Sequence, residues 1–270
     1  MQMNKTDGDK VNPIKIIPCL DVKNNRVTKA IEFTRMADSF DPAEAALAYS
    51  GQGADELAFL DMTAVLEGSA IHTDWVKKII GNTDLPLLAG GGIRNLRDIE
   101  SLLSLGVNRV ALNNITPQNL GFLAEAAARF GSERIITAID GIKNPPESGL
   151  HRLEAVMPNT DNKHGLELVN WVKQIEKQGT SAILLTSRDT DGTKNGYDLE
   201  MTKAVAQAVN IPVIASGGAG SMEDIYAVIT GGKAQAVLAA SVFHSGMINI
   251  MELKKYLYSR GIPVNMPPFR

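Results

Sequence analysis

The chain has 270 residues, 44% of them hydrophobic and 21% charged, with a net charge of −3. This composition suits a folded globular protein and excludes a chain built mainly to bind nucleic acid or an anionic membrane surface, which would carry a positive excess. No run reaches the roughly 18 uninterrupted apolar residues of a membrane span, and the single cysteine, Cys19, cannot form an internal disulfide, so a cytoplasmic setting is expected.

The opening MQMNKTDGDKVN is polar and lacks the apolar centre of a signal peptide, so residues 1–13 read as a disordered leader. An apolar run at 14–20 follows and ends abruptly in Asp21. Segment 22–40 is long and cationic, with Lys23, Arg26, Lys29 and Arg35; it reads as a lid over an anionic pocket or as a solvated loop. DPAEAALAYSGQG then offers Asp41 as a helix N-cap and Pro42 in the first turn, and closes on glycine. Further apolar runs lie at 56–60, 85–89, 107–112, 134–139, 181–186, 211–215 and 235–239, separated by segments of helical period. In NLRDIESLLSLG, for instance, Leu96, Ile99, Leu102, Leu103 and Leu105 make one stripe. Residues 141–163 form a second long insertion with a turn at NPPESG, and a hairpin is expected there. Residues 263–270 read as a C-terminal tail.

Several runs are continuous in Ile, Val, Leu and Ala, as in strands covered on both faces. Eight strand–helix units in about 250 residues predict one α/β domain over 14–262, a closed (β/α)8 TIM barrel, with an open doubly wound sheet as the alternative. An internal repeat favours the barrel. PLLAGGGI at 86–93 is echoed by PVIASGGAG at 212–220, and GADELAFLD at 53–61 by GTSAILLTS at 179–187. Asp140, at the end of RIITAID, echoes Asp21 at the end of IIPCLD. The first four units therefore look like a copy of the last four, a two-fold half-barrel repeat.

In barrel enzymes the C-terminal strand ends form the active-site face. Asp21 and Asp140 would project across that mouth from opposite sides, a pair suited to acid–base chemistry. Each Asp has a plainer alternative, capping a loop or pairing with Lys23 or Lys143. GGG at 90–92 and SGGAG at 216–220 each follow a strand and precede a helix, where glycine lets backbone N–H groups approach an anion. With ALNNIT and AASVFH after the neighbouring strands, they make two matched phosphate cradles, including Gly217 and Gly218 on one side. A long substrate with a phosphate at each end is implied. TSRDTDGTKNGYD, after the sixth run, places Thr186, Asp191, Gly192 and Thr193 where they line the same mouth or simply make solvated turns. The four histidines, His72, His151, His164 and His244, lack metal-ligand spacing. No nucleophile elbow or GxGxxG loop occurs. No cofactor and no metal are expected, and Cys19 reads as a buried inert thiol.

IIPCLDVKNNRVTK, GADELAFLDMTA, PLLAGGGI, TAIDGIK, LLTSRDTDGTKNGYD, IPVIASGGAG and AASVFH together resemble the cyclase subunit of imidazole glycerol phosphate synthase, over about residues 14–262. CLDVK and DTDGTKNGYD separate it from the sister barrel of the same pathway, the phosphoribosyl-formimino isomerase. The resemblance implies that ammonia from a glutaminase partner, held as a heterodimer, adds to the phosphoribulosyl-formimino aminoimidazole carboxamide ribonucleotide. The products are imidazole glycerol phosphate and an aminoimidazole carboxamide ribotide, feeding histidine and purine synthesis. It implies catalytic roles for Asp21 and Asp140 and a loop lysine at Lys29. It also implies phosphate contacts at Gly92, Asn113 and Asn114 and, opposite, at Gly192, Gly218, Ala240 and Ser241, with Ser216 and Thr186 as wall. An ammonia gate at the far end of the barrel falls on Lys15, Glu56, Arg109 and Ala182, and the glutaminase would dock around the first three.

The chain departs from that family's pattern in two places. In the lid, Asn24-Asn25 replace Asp-Gly, Ala30-Ile31-Glu32-Phe33 replace Gly-x-Asn-Phe, and Ala37 replaces an arginine. In the gate, Ala182 replaces a glutamate, so a more open gate is expected. Three readings remain: a divergent histidine-pathway cyclase, a paralogue serving an amidotransferase on another substrate such as a surface sugar, or a non-catalytic scaffold of a glutaminase.

Overall fold

A computed structural model describes residues 12–24, 26–27, 41–144, 152–157 and 165–266. Each apolar run becomes a strand: β1 (Lys15–Lys23), β3 (Leu57–Asp61), β4 (Leu87–Gly90), β5 (Arg109–Leu112), β6 (Ile135–Asn144), β9 (Ala182–Ser187), β10 (Val213–Ser216) and β11 (Ala236–Ala239). Three short strands flank them: β2 (Arg26–Val27), β7 (Arg152–Ala155) and β8 (Leu166–Glu167). The eight long strands close into a parallel ring in the order β1, β3, β4, β5, β6, β9, β10, β11, with β11 returning to β1. This is a (β/α)8 barrel, not an open sheet.

Helices fill the outer layer: α1 (Pro42–Gly51), α2 (Met62–Glu67), α3 (Thr73–Ile80), α4 (Leu96–Ser104), α5 (Leu120–Phe130), α6 (Leu168–Glu176), α7 (Leu199–Ala208), α8 (Met222–Thr230), α9 (Ser241–His244) and α10 (Ile250–Ser259). Their ends follow local chemistry. The Asp41 side chain accepts from Ala43 N–H at 2.8 Å and Pro42 occupies the first turn of α1. In α4, Ile99 and Leu102 are buried, the inward part of the stripe read in NLRDIESLLSLG. Apolar side chains fall into two shells. Ile16, Leu20, Phe59, Leu87 and Trp171 pack between strands and helices. Ile17, Cys19, Ala58, Leu88, Ala111, Ile136, Ala182, Leu184, Ile214, Ala236 and Leu238 fill the lumen. Period-two alternation along each strand separates the shells: on β1, Ile16 faces out and Ile17 in. The lumen is a packed core, not a pore.

The half-barrel repeat holds residue by residue. Asp21 is in register with Leu60 where Asp140 is in register with Thr186. Leu60 then meets Gly90, and Thr186 meets Ser216. Leu88 meets Arg109, and Ile214 meets Ala236. Ala111 meets Ile136, and Leu238 meets Ile17, closing each half onto the other.

The N-terminal end of the barrel is fastened by Lys254 of α10. Its buried ammonium donates to Gly53 O at 2.6 Å, Asp55 Oδ1 at 2.8 Å and Asn265 O at 2.9 Å. Of the segment read as a tail, Pro263 accepts from Ile14 N–H and Val264 bridges to Ile14; residues 267–270 lie outside the described residues. So do residues 1–11 of the leader.

Candidate active site

Strand parity decides where the two carboxylates go. Ile17 and Cys19 point into the lumen, so Asp21, two residues further on, reaches the same axis at its C-terminal end. On β6 the sequence Ile136, Ala138, Asp140 repeats the pattern. Asp140 is pinned from behind, since its carbonyl accepts from Val156 N–H at 2.8 Å. That bond belongs to the hairpin expected from the 141–163 insertion, in which β7 runs antiparallel to β6. The turn of the hairpin lies outside the described residues.

Lys143 does not pair with Asp140; it bridges Asp198 at 2.9 Å and Glu200 at 3.0 Å. Asp21 accepts from the Cys19 thiol at 3.4 Å. Burial lifts the Asp21 carboxyl to about 6, partly offset by that thiol and reinforced by the Asp191 charge. The same burial, with Asp21 above it, keeps Cys19 protonated and inert as a nucleophile. Asp140 is also raised by burial, opposed by the Arg188 guanidinium and reinforced by Asp191. Solvent reaches Asp140 and Asp191 from the mouth, so water damps these fields, whereas Asp21 sits deeper. Asp191, itself raised by burial and restrained by the Gly192 amide, acts on both other carboxylates. Three acids therefore share one mouth.

The loop carrying Asp191 is built against the second glycine turn. Asp191 N–H donates to Ser187 O at 2.9 Å, Thr190 Oγ1 to Gly217 O at 3.2 Å, and Gly196 N–H to Gly218 O at 2.8 Å. Gly218 has φ +102, and a Cβ there would run into the Gly196 carbonyl. In the first half, Gly92 has φ +71 and is hemmed in by Ala64, Ser69 and Ile71. The helices that follow are capped alike. Asp98 Oδ2 accepts from Arg94 and Asn95 N–H, and Asp224 Oδ2 from Gly220 and Ser221 N–H. The N-cap N–H of each helix and the N–H before it are thus already bound to a carboxylate of the first turn. The donors left over are earlier in each loop: among the described residues, the Gly92 and Gly218 N–H groups bond to no protein acceptor.

Other expected residues are placed as follows. Thr186 and Ser216 are half-buried neighbours at the ends of β9 and β10. After β11, Ala240 is the N-cap of α9 and Ser241 its first residue, and Asn113 lies exposed after β5. Asn114 gives one amide hydrogen to Ile93 O at 3.1 Å, stitching the two first-half loops together. Gly192 is exposed with φ +75, and Thr193 spends its hydroxyl on Thr190 O at 2.7 Å. Of the lid, Asn24 turns the chain at φ 49 and its N–H donates to Thr63 Oγ1; Asn25, Lys29, Glu32 and Ala37 lie outside the described residues.

At the opposite end, Glu56 is buried and accepts from Arg109 Nε at 2.7 Å, from Arg109 Nη2, and from Lys15 Nζ at 3.5 Å. Ala182 packs in the lumen. The ring is therefore charged on one side only: a single acid holds two cations.

Sequence reading missed two features of the mouth. Arg188 sits inside the quoted loop, and its parity with Thr186 was the available signal. Asp61 accepts from His72 N–H at 2.8 Å and pairs with His72 Nδ1 at 2.7 Å while capping α2 through Ala64 N–H. No local pattern links those two residues, because a loop brings them together. Among the described residues, no group of three metal-ligating side chains occurs, and no helix is long and apolar enough to cross a membrane.

A family model described as a histidine biosynthesis protein matches residues 15–249, and the chain belongs to that family. Its members are enzymes, and they include both the cyclase and the isomerase barrels.

Proposed function

Starting from a histidine-biosynthesis barrel, we propose that this chain is the cyclase subunit of an imidazole glycerol phosphate synthase. The observation that carries the reading is the pairing of Asp21 and Asp140 at equivalent strand ends of a repeated barrel, in unequal surroundings, between two loops that offer free glycine amides. Such a site accepts a ligand with an anion at each end and presents its middle to two carboxyls. The stretches CLDVK and DTDGTKNGYD favour the cyclase over the isomerase within the family.

The chemistry follows from the two environments. Ammonia must attack a carbon electrophile, and a proton must leave the incoming nitrogen while another reaches the departing one. Asp140, on which the Arg188 charge acts to favour the ionised form, suits the base. Asp21, raised to about 6, suits the acid. Each well-placed group typically contributes about 10²–10⁴-fold. Fixing both phosphates holds the reacting carbon between the carboxyls, so little orientational entropy is lost in the reaction step.

The chain carries no glutaminase nucleophile, since Cys19 is buried, protonated and strand-bound. In this reading ammonia comes from a separate glutaminase docked on the N-terminal face, around Lys15, Glu56 and Arg109. A second reading, a paralogue aminating another substrate, is favoured by the one-sided charge ring that Ala182 leaves. Purified chain with an ammonium salt and the bis-phosphate substrate separates the two. Conversion, lost in Asp140→Asn, supports the cyclase. Absence of turnover, with Asp140→Asn equally silent, rejects it. Glutamine replaces ammonium only when the glutaminase is present.

A further inference from the structure

The half-barrel repeat extends past the strand ends into the loops. Three residues beyond Asp21 and Asp140 stand Asn24 and Lys143. Three residues beyond their register partners, Leu60 and Thr186, stand Thr63 and Asp189. The Asn24 N–H donates to Thr63 Oγ1 at 2.8 Å, and the Lys143 N–H to Asp189 Oδ2 at 2.7 Å. The same tie is thus made twice. Each runs from a strand that folds back into a hairpin, β1 with β2 or β6 with β7, to the loop after the neighbouring strand.

What the two ties hold differs. In the first half, Met62 opens α2 at once, capped by Asp61 through Ala64 N–H, so a helix shapes that loop. In the second half, residues 188–198 form turns before α7 begins at Leu199. The residue that ties the beginning of this loop also holds its end. The Lys143 ammonium bridges Asp198 Oδ1 at 2.9 Å and Glu200 Oε2 at 3.0 Å. Asp198 is buried and caps α7 through Met201 N–H at 2.9 Å, so that anchor is itself fixed. Asn24, in the matching place, carries no charge with which to do this. Between its two anchors the loop leans on the second glycine turn, through Thr190 Oγ1 to Gly217 O and Gly196 N–H to Gly218 O.

We propose that Lys143 is a positioning residue: it staples both ends of loop 188–198 and so sets the grip of the Gly217–Gly218 turn on the anion at that end of the substrate. That the anion is a phosphate rests on the cyclase reading. Gly218, at φ +102, is shaped against the Gly196 carbonyl, so the turn keeps its form only while the loop keeps its place. One residue of a strand holds both ends, and no second side chain has to be ordered for the purpose. The Gly92 turn needs no such staple, because it packs on Ala64 of α2 and on Ser69 and Ile71 just after it. The effect of Lys143 is therefore confined to one of the two anion sites.

The test reads the two turns side by side in the full chain. Lys143→Met removes the ammonium and Lys143→Arg keeps the charge. Without ligand, exchange of the Gly196 N–H with deuterated water should quicken in Lys143→Met and return toward the parent rate in Lys143→Arg. In 15N spectra titrated with inorganic phosphate, the Gly218 amide should need roughly tenfold more phosphate in Lys143→Met. The Gly92 amide should titrate as in the parent. Ammonia-dependent assays should show KM for the bis-phosphate raised by a similar factor and kcat lowered far less. An unchanged Gly218 titration overturns the proposal, and so does an equal loss at Gly92 and Gly218, which marks general loosening. Where Lys143→Met does not fold, Lys143→Gln, which still donates to Asp198, is judged by the same two outcomes. A parent chain in which only one turn responds to phosphate overturns the cyclase reading instead, while the Gly196 exchange rates still decide whether Lys143 holds the loop.

Discussion

In the first half-barrel the strand-end acid, Asp21, has the Cys19 thiol beneath it; in the second, Asp140 has Ala138 beneath it and feels the Arg188 charge. The far end of the barrel is divided too. Glu56, Lys15 and Arg109 crowd one side; in the other half Arg134 takes the place of Lys15, while Ala182 and Ala236, in the places of Glu56 and Arg109, are small and apolar. Backbone register is shared to the residue, so the fold needs only the common pattern of apolar strands and glycine turns. The proposed chemistry would draw on the positions where the copies differ. A symmetric site would hold two interchangeable acids. A site that must both remove and deliver a proton gains from environments that separate them.

That comparison breaks most sharply at the carboxyls. Asp140→Asn and Asp21→Asn should each lower ammonia-dependent turnover by about 10²–10⁴-fold, with circular dichroism unchanged. Equal turnover in either variant would remove that acid from the chemistry. A smaller effect is expected at the charged end. Glu56→Gln leaves two cations facing each other without their shared acid, and should cost on the order of 1–3 kcal/mol in denaturant unfolding, because Lys15 is half-exposed and water screens it. Ala182→Gln in the other half, by contrast, should fail by overpacking the lumen rather than by charge.

The glycine turns sharpen the comparison further. Gly218→Ala meets both a positive φ and the Gly196 carbonyl, whereas Gly192→Ala meets positive φ with open space around it. The first should cost about 2–4 kcal/mol and the second about 1 kcal/mol in thermal unfolding. Equal costs would mean that the close approach of the two loops is not constraining.

One effect of similar size runs in the opposite direction. Asp21 has its folded-state value raised to about 6. Its contribution is thus fully present below the unfolded value near 3.9 and is lost as pH rises through about 6, because ionised Asp21 is penalised by burial. Asp21→Asn should therefore stabilise the protein at pH 7.5 by on the order of 1–2 kcal/mol, after allowance for the solvent that reaches the mouth, and not at pH 4. A gain of equal size at both pH values would attribute it to packing instead.

Much of this was legible in the sequence. Eight apolar runs, several of them continuous, match the eight barrel strands, because strands covered on both faces are largely apolar. Their starts were placed one or two residues early, since Pro86, Val107 and Ile211 belong to the approach to a strand rather than to its ladder. β2 and β8 are too short to carry a period, and the extension of β6 to Asn144 hides in the polar stretch Asp140–Asn144. Asp21 and Asp140 were found by repetition alone. Arg188 was not, because its effect on Asp140 depends on which strand lies alongside it. His72 was overlooked because its carboxylate partner is eleven residues away around a loop. Lys15, Glu56, Arg109 and Ala182 came only from resemblance, and the pairing of the first three is visible once β1, β3 and β5 lie side by side.

The most direct test of the central claim is a crystal structure of the full chain with the bis-phosphate bound. The account predicts one phosphate on the Gly92 turn, the other on the Gly218 turn, and the linking chain lying between the Asp21 and Asp140 carboxyls. A ligand held by a single phosphate, with its centre outside the space between those two acids, would contradict it.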